Sequence, residues 1–505
     1  MQEWAGVVRI CQDPKWKPNL LFSTIPYIIF FPIVFALYWL APARFRRVLL
    51  LIASYVFYMS WIPSYALLIA GLTAVNYALA FGLDRWREKS QPIFAVGILF
   101  NLGTLIFFKY TNFLISSLLG ALGFLRMPIA TSSTSFEMHI ILPLGISFFA
   151  FEFIHYLTDV YKGGKPISNV VDFSLFAAFF PSQIAGPIKR YQDFAAQLQK
   201  PIVFSTTNFT KGIELFLQGL FKKVAIADNV AVLANLGFTR IGELGTVDAW
   251  IAVLAFTIQI YFDFSGYTDM GRGSAYMLGY ALPDNFNFPY LATSLQDFWK
   301  RWHISLSSWL RDYVYIPLGG NRKGASGKYK NLLLTMLIGG LWHGAAWHFV
   351  IWGGIHGSGL ILNHWYSNQV EKLSWLKDLH STKVMNVLCG ALTLAFVMAA
   401  WVFFRADTAD SALRMLAQLA QPRASHLLVD ALATSTALTA VTAYAIYACI
   451  VCLPKFAEAV PWSNSTEQFS SNLCLPARAV GYVAIALAVI GFAPTQPSPF
   501  IYFQF

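Results

Sequence analysis

Of 505 residues, 57% are hydrophobic and only 12% are charged, about half the roughly 25% charge of ordinary soluble domains. That deficit excludes a soluble globular chain, whose surface would have to be nearly uncharged. The net charge of +11 is read as a topology signal: a nucleic-acid role would need the basic residues on one soluble face, and no nucleic-acid partner is expected.

A bilayer core about 30 Å thick needs roughly 20 apolar residues per helix. Uncharged runs suited to that span Pro18–Ala43, Val48–Leu83, Ser90–Phe108, Asn331–Val370, Val384–Phe404, Ala431–Pro454 and Ala479 onward. Shorter candidates at 110–125, 138–158, 173–188, 212–236 and 249–262 raise the expectation to roughly eleven spans, some of them re-entrant or interfacial because short runs cross only marginally. Residues 1–17 are polar and mixed (Arg9, Asp13, Lys15, Lys17), and the apolar run after them is too long for a signal-peptide core. It reads instead as a first membrane helix, kinked by Pro26 and Pro32. Arg44, Arg46 and Arg47 follow that span. Arg85, Arg87 and Lys89 follow the third, if Val48–Leu83 is a hairpin broken at Trp61-Ile62-Pro63-Ser64. The positive-inside rule makes their side cytoplasmic and the N-terminus external. The five cysteines (Cys11, Cys389, Cys449, Cys452, Cys474) do not form a disulfide framework. Cys449 and Cys452 sit in an apolar run, where small hydrophobic filler is expected over metal binding.

No internal repeat, low-complexity tract or soluble domain is evident, so one membrane domain is expected with three polar interruptions. These are Tyr161–Asp172, Asp284–Lys330, and the weakly charged loops at 405–430 and 455–478. The middle interruption stands out. Between Lys300 and Lys330 it carries Lys300, Arg301, Arg311, Arg322, Lys323, Lys328 and Lys330. Apolar and aromatic residues recur at spacings of three and four from Leu295 to Leu310, an amphipathic helix pattern. One reading is an interfacial helix whose cations meet membrane-lipid headgroups; the other is a basic pocket for a phosphate-bearing donor.

The run Asn331–Val370 has no Asp, Glu, Lys or Arg but holds His343, His348, His356 and His364. Polar groups at membrane depth are costly and suggest function, and imidazole can accept a proton at neutral pH without first losing one. His343 lies between Gly339-Gly340 and Gly344, beside Trp342, where small residues permit close approach. The plain alternative is a histidine hydrogen-bonded between helices for packing, and that reading, or an interfacial position, is preferred for His348, His356 and His364. His303, in Arg301-Trp302-His303, is the second candidate. Asp263 and Asp269 sit in an aromatic stretch, where a carboxylate must be paired or protonated. Pairing with Arg272 or Arg311 is expected, ahead of metal ligation, since no ligand spacing of the usual kind accompanies them.

These residues carry a family resemblance. Tyr261-Phe262-Asp263-Phe264-Ser265-Gly266-Tyr267, Phe298-Trp299-Lys300-Arg301-Trp302-His303-Ile304-Ser305-Leu306-Ser307, Trp309-Leu310-Arg311-Asp312-Tyr313, Leu318-Gly319-Gly320-Asn321-Arg322 and Gly339-Gly340-Leu341-Trp342-His343-Gly344-Ala345 resemble the membrane-bound O-acyltransferase (MBOAT) family, in its alginate O-acetyltransferase branch. Pro143-Leu144-Gly145-Ile146-Ser147-Phe148 and Ile184-Ala185-Gly186-Pro187 fit upstream. The resemblance implies an all-α polytopic membrane protein with helices bent around a central tunnel. Its expected divisions are an N-terminal extension at 1–21, the membrane domain at 22–493 with core motifs at 261–357, and an aromatic tail at 494–505.

The resemblance also implies acyl transfer to a hydroxyl. His343 is then the essential general base, and His303 orients the acyl group or polarises its carbonyl. Lys300, Arg301, Arg311, Arg322 and Lys323 would hold the donor, while Trp302, Trp342, Asp263, Asp269 and Asp312 would shape the tunnel. The donor would be acetyl-coenzyme A or an acyl-carrier thioester, with no tightly bound cofactor and no metal. The implied partners are an extracytoplasmic SGNH-type acetyltransferase and an exported polysaccharide, and the implied location is the bacterial cytoplasmic (inner) membrane. The end of the chain, Phe500-Ile501-Tyr502-Phe503-Gln504-Phe505, is similar to the tyrosine motif of a small partner protein in teichoic-acid D-alanylation. That likeness makes Tyr502 a candidate acyl carrier, whereas an aromatic tail lying in the interface is the plain alternative. Two other functions stay open: acylation of a lipid or protein hydroxyl, and a proton-coupled transporter, although transporters often show half-chain repeats.

Overall fold

The computed structural model describes residues 20–125, 138–434, 482–494 and 498–503, except positions 139, 185, 323, 484, 485 and 488. Most of the N-terminal extension, Cys11, Lys323, Cys449, Cys452, Cys474, the run beyond 434 and the loop at 455–478 therefore lie outside the described residues. Within them every long regular element is helical.

Helix α1 (Ile25–Leu40) begins with Pro26 in its first turn, where a missing N–H is harmless, and it carries Pro32 inside. α2 (Ala43–Met59) and α3 (Tyr65–Arg85) form the hairpin expected around Trp61–Ser64. α4 (Ser90–Leu105) and α5 (Thr111–Phe124) are joined by one π-turn, Ile106–Tyr110. Then come α6 (Ile146–Tyr161), α7 (Val170–Ala178), α8 (Tyr191–Leu198) and α9 (Thr206–Leu220). A second π-turn, Phe221–Ala227, links α9 to α10 (Asp228–Thr239). The long α11 (Thr246–Met277) runs through the centre, with 72% of its most apolar window buried. After it come α12 (Leu295–Arg301), α13 (Ile304–Leu310), α14 (Gly324–His343), α15 (Trp347–Lys372), α16 (Ser374–His380), α17 (Lys383–Arg405), α18 (Ala409–Ala420) and α19 (Leu427–Thr434).

Four described stretches are long and apolar enough to cross a bilayer: Tyr65–Arg85, Arg87–Phe124, Thr246–Met277 and Lys383–Arg405. Several of the roughly eleven expected runs become shorter or broken helices instead. The 173–188 run gives α7 and a single turn at Phe180–Ser182, because Pro181 and Pro187 cannot continue the hydrogen-bond ladder. Ile25, Leu67, Leu99, Val387 and Leu392 are largely exposed on the outer helix faces, the arrangement a lipid solvent favours. The chain has an all-α polytopic membrane fold.

The expected continuous helix from Leu295 to Leu310 is not formed. α12 ends at Arg301, and α13 starts after His303, whose φ of 43° lies in the left-handed region. A three-and-four spacing of apolar residues survives one out-of-register residue, so periodicity alone could not show the break.

The centre is set by how closely α9 approaches α11. A Cβ on Gly219 would lie 2.4 Å from the Gly266 carbonyl oxygen, and one on Gly273 would lie 2.5 Å from that of Gly212. Small residues let backbones meet in this way where no hydrophobic force drives helices together. Gly219→Leu is expected to lower stability by about 1–3 kcal/mol through overpacking. The thermal midpoint in detergent micelles reads this, with Gly242→Leu as the control, since nothing lies within 4 Å of a Cβ there.

Candidate active site

α14 ends at His343, and three of its last carbonyls would be left without intrahelical partners. They are met from the π-turn between α4 and α5. Lys109 Nζ donates to the carbonyls of Trp342 (2.6 Å) and His343 (3.0 Å), and Tyr110 Oη donates to that of Leu341 (2.8 Å). A cation at a helix C-terminus is favourable in water, and within a bilayer those carbonyls need an internal donor. Lys109 is the sole charged residue between Ser90 and Phe124. Treating it as the edge of an apolar run hid it, although a lone intramembrane lysine is itself a functional signal.

The imidazole of His343 is 6% exposed and sits among aromatic rings: Trp342 at 5.0 Å between centroids, Trp352 at 5.1 Å, Phe404 at 5.1 Å and Tyr502 at 5.8 Å. Among the described residues its Nδ1 has no hydrogen-bond partner. Trp342 bridges to the second histidine, its ring centroid 6.1 Å from that of His303, and Phe151 stacks on it at 5.2 Å. Phe151 in turn stacks on Trp309 at 3.7 Å.

His303 is fully buried, and its environment defines its tautomer. Asn285 Oδ1 accepts the Ser305 N–H (3.2 Å) and the Ser305 hydroxyl (2.8 Å), so that atom is an acceptor. His303 Nδ1, 3.1 Å away, must then donate to it, which leaves the lone pair of the neutral ring on Nε2. Nε2 has no partner among the described residues. Neutral His303 can thus receive a proton or a hydroxyl hydrogen bond, and could polarise a carbonyl only as imidazolium. The left-handed backbone at His303 is held by the same loop, with the Ile304 N–H donating to the Asn285 carbonyl at 2.9 Å. Strain of this kind gathers at functional sites.

Tyr502 comes from the other end of the sequence. The last described turn, Ile501–Phe503, is a single 3₁₀ turn. Tyr502 packs against both buried clusters of the protein, with Phe264 at 4.6 Å and Phe500 at 5.6 Å between centroids. Phe264 also touches His303 at 4.7 Å. His303, His343 and Tyr502, up to 199 positions apart in the chain, share one aromatic centre.

The other expected residues scatter. Trp302 is 2% exposed and stacks among Phe298, Tyr290 and Trp401. Asp263 pairs with Lys223 at 2.9 Å, and not with Arg272 or Arg311. Asp269 pairs with Lys222 at 2.6 Å and more distantly with Arg272 at 3.8 Å. Arg311 binds its neighbour Asp312 at 2.7 Å, and Asp312 also takes Arg190 at 2.8 Å. Arg301 is held by Asp297 at 2.8 Å, while Lys300 and Arg322 are exposed. The expected arginine is found at Asp269, where Arg272 reaches it, but not at Asp263; the close α9–α11 approach brings Lys222 and Lys223 to these carboxylates from outside α11. Of the remaining histidines, His348 donates to the Phe403 carbonyl at 3.0 Å, and His364 lies 3.2 Å from Lys328 Nζ. His356 is fully buried among Trp299, Trp352 and Phe396, and neither of its ring nitrogens has a hydrogen-bond partner among the described residues, so neither the expected bond between helices nor an interfacial position is found there. No group of three or more His, Cys, Asp or Glu among the described residues is placed to hold a metal.

An all-helical membrane body that buries two histidines beside a hydroxyl-bearing ring suits proton transfer in an acyl exchange. The sequence profile of the membrane-bound O-acyltransferase family matches residues 156–405. The chain is 43% identical over 407 residues to a protein of Azotobacter vinelandii named probable alginate O-acetylase, covering 79% of this chain and 77% of that one. It is 37% identical over 432 residues to the peptidoglycan O-acetyltransferase of Helicobacter pylori, covering 79% of each. With the teichoic acid D-alanyltransferase of Bacillus subtilis it shares 30% identity over 279 residues, 52% of this chain and 68% of that one. The chain belongs to the membrane-bound O-acyltransferase family, and within it stands as an O-acetyltransferase related to the alginate O-acetylases.

The Lys109 cap yields a direct expectation. Lys109→Met removes two donors from the end of the His343 helix, and a small displacement of a reacting group can cost about 10²-fold in rate. Acetyl transfer measured in membranes at matched protein levels should fall at least ~10-fold, with Lys109→Arg retaining more activity than Lys109→Met. Full activity in Lys109→Met would show that the cap is dispensable.

Proposed function

We propose that this enzyme takes acetyl groups from a cytoplasmic thioester, acetyl-coenzyme A or an acyl carrier, and passes them across the bacterial inner membrane for O-acetylation of an exported, alginate-like polysaccharide. The observation that carries the reading is the Tyr502 ring, 5.8 Å from the ring of His343 at the buried centre. A phenol supplied by the chain itself has its ring beside that of the best candidate base.

In the first step His343 accepts the phenolic proton of Tyr502 as its oxygen attacks the thioester carbonyl carbon. The tetrahedral intermediate collapses with cleavage of the C–S bond, and the leaving sulfur takes the proton back from His343. His303 Nε2, with its lone pair fixed by Asn285, serves as a second acceptor that orients the hydroxyl. Covalent transfer of this kind divides one difficult step into two. An aryl ester also remains activated, because phenol, with a pKa near 10, is a far better leaving group than an alkyl alcohol. In the second step a hydroxyl of an extracytoplasmic SGNH-type partner attacks the ester, which restores the Tyr502 phenol and carries the acetyl group toward the polymer.

On the donor side, among the described residues of the expected set, the exposed Lys300 and Arg322 remain available to phosphate oxygens, since Arg301 and Arg311 already neutralise Asp297 and Asp312. The relatives support a glycan polymer as acceptor: one is named for alginate and another for peptidoglycan. The greater identity lies with the former.

Inverted membrane vesicles given radiolabelled acetyl-coenzyme A test the route. Label is expected on Tyr502 as a base-labile adduct found by mass spectrometry. His343→Ala should lose on the order of 10²–10⁴-fold in transfer, the usual contribution of acid–base catalysis, while still inserting in the membrane. Tyr502→Phe should form no adduct and transfer no acetyl; normal transfer by that protein would remove Tyr502 from the pathway. Retained acetylation by His343→Ala would falsify the assignment of the base.

A further inference from the structure

The tail that delivers Tyr502 to the centre has to be held there, and the structure shows what holds it. Lys223, Asp228 and Asp263 are 3%, 2% and 1% exposed. Lys223 Nζ lies 2.7 Å from Asp228 Oδ1 and 2.9 Å from Asp263 Oδ1, and it donates to the carbonyl of Ser498 at 3.0 Å. The ammonium thus makes two close ion pairs with carboxylates and one hydrogen bond to the main chain of the tail. The second oxygen of Asp263 accepts the Ile501 N–H at 2.9 Å. One residue along from Asp228, Asn229 Nδ2 donates to the carbonyl of Phe492 at 2.9 Å.

Every tail group in this network is a main-chain group. The contacts at Ser498 and Ile501 therefore set the register of the tail without reading its side chains, and Tyr502 follows immediately. Phe500, 1% exposed, adds a stack on Tyr267 at 4.3 Å. The π-turn Phe221–Ala227 allows consecutive lysines to face α11, with Lys222 on Asp269 and Lys223 on Asp263. Charge bookkeeping argues against a purely structural ion pair. Lys223 with Asp228 alone would already be neutral, so Asp263 adds a second carboxylate to a buried site. That negative charge is stabilised by a peptide N–H from the chain's end. A buried carboxylate short of donors is costly, so the network favours the docked tail.

We propose that Lys223, Asp228 and Asp263 are a latch for the C-terminal tail, positioning Tyr502 beside His343 by gripping the main chain at Ser498 and Ile501. The latch is a property of the tail's docking. Its consequence for acetyl transfer rests on the reading of Tyr502 as the carrier.

Asp263→Asn tests it cleanly, because it leaves the neutral Lys223–Asp228 pair and replaces a charge-assisted hydrogen bond with a weaker neutral one. The purified full-length protein in detergent is given a maleimide, with S498C as the reporter and the same variants lacking S498C as the background from native cysteines. The S498C thiol is expected to react at least ~10-fold faster in Asp263→Asn than with Asp263 present, with no fall in thermal midpoint. A fall in thermal midpoint without faster labelling means that Asp263 is structural, and it overturns the latch. A second pair of variants sits on the tail, where it does not burden the body of the fold. Ile501→Pro removes the N–H donor at the start of a 3₁₀ turn, a position proline tolerates, while Ile501→Ala keeps the N–H and loses apolar volume. Faster labelling in Ile501→Pro than in Ile501→Ala is expected; equal rates overturn the proposal. Acetyl transfer is scored separately. A freed tail with normal transfer in both Asp263→Asn and Tyr502→Phe keeps the latch and removes the carrier. An unchanged labelling rate removes the latch whatever transfer does.

Discussion

Within hydrocarbon, a buried charge has to find its partner inside the protein. In this chain two lysines show what that requirement produces. Lys109 finds the open carbonyls at the end of the His343 helix, and Lys223 finds two carboxylates and the main chain of the tail. Neither ammonium could be left unpaired at that depth, so each defines the position of the element it touches. The helix end and the tail then meet at one aromatic centre.

That centre is aromatic for a reason that follows from the same requirement. Trp342, Trp352, Phe404, Phe264 and Phe151 surround the two histidines and Tyr502, supplying large rigid area without adding groups that compete for protons. Hydrogen bonding is reserved for the few atoms that define orientation. Asn285 is the clearest case: with one oxygen it assigns the His303 tautomer and ties down the loop that carries the left-handed residue. The low polarity of the surroundings also strengthens whatever electrostatic contact forms during acyl exchange.

Two of the three π-turns among the described residues lie where these contacts are made, Ile106–Tyr110 beside the His343 helix and Phe221–Ala227 beside the tail; the third, Arg311–Tyr315, follows α13. Such bulges are rare and often mark functional sites. Each of these two inserts an offset into a helical stretch and so turns neighbouring polar residues, Lys109 with Tyr110 and Lys222 with Lys223, toward partners that a regular helix would spread around its circumference. The glycine contacts between α9 and α11 serve the second of them, because only a close backbone approach lets a lysine of one helix reach carboxylates of the other.

The amino-acid sequence by itself determined that the chain is a helical membrane protein, since a charge content this low leaves no other solvent for its surface. It also determined the family, because ordered motifs such as Arg301-Trp302-His303 and Leu341-Trp342-His343-Gly344 are local strings. His343 was legible as a candidate because an ionisable group in an uncharged run stands out. Only the tertiary structure decided the break at His303, the partners of Asp263 and Asp269, the cap by Lys109 and the position of Tyr502. Apolar periodicity tolerates a single residue out of register, and ion pairs between helices depend on a crossing that no local pattern encodes. Tyr502 lies 159 positions beyond His343 in the chain, and what brings them together is a grip on peptide groups, which every sequence possesses and none can announce.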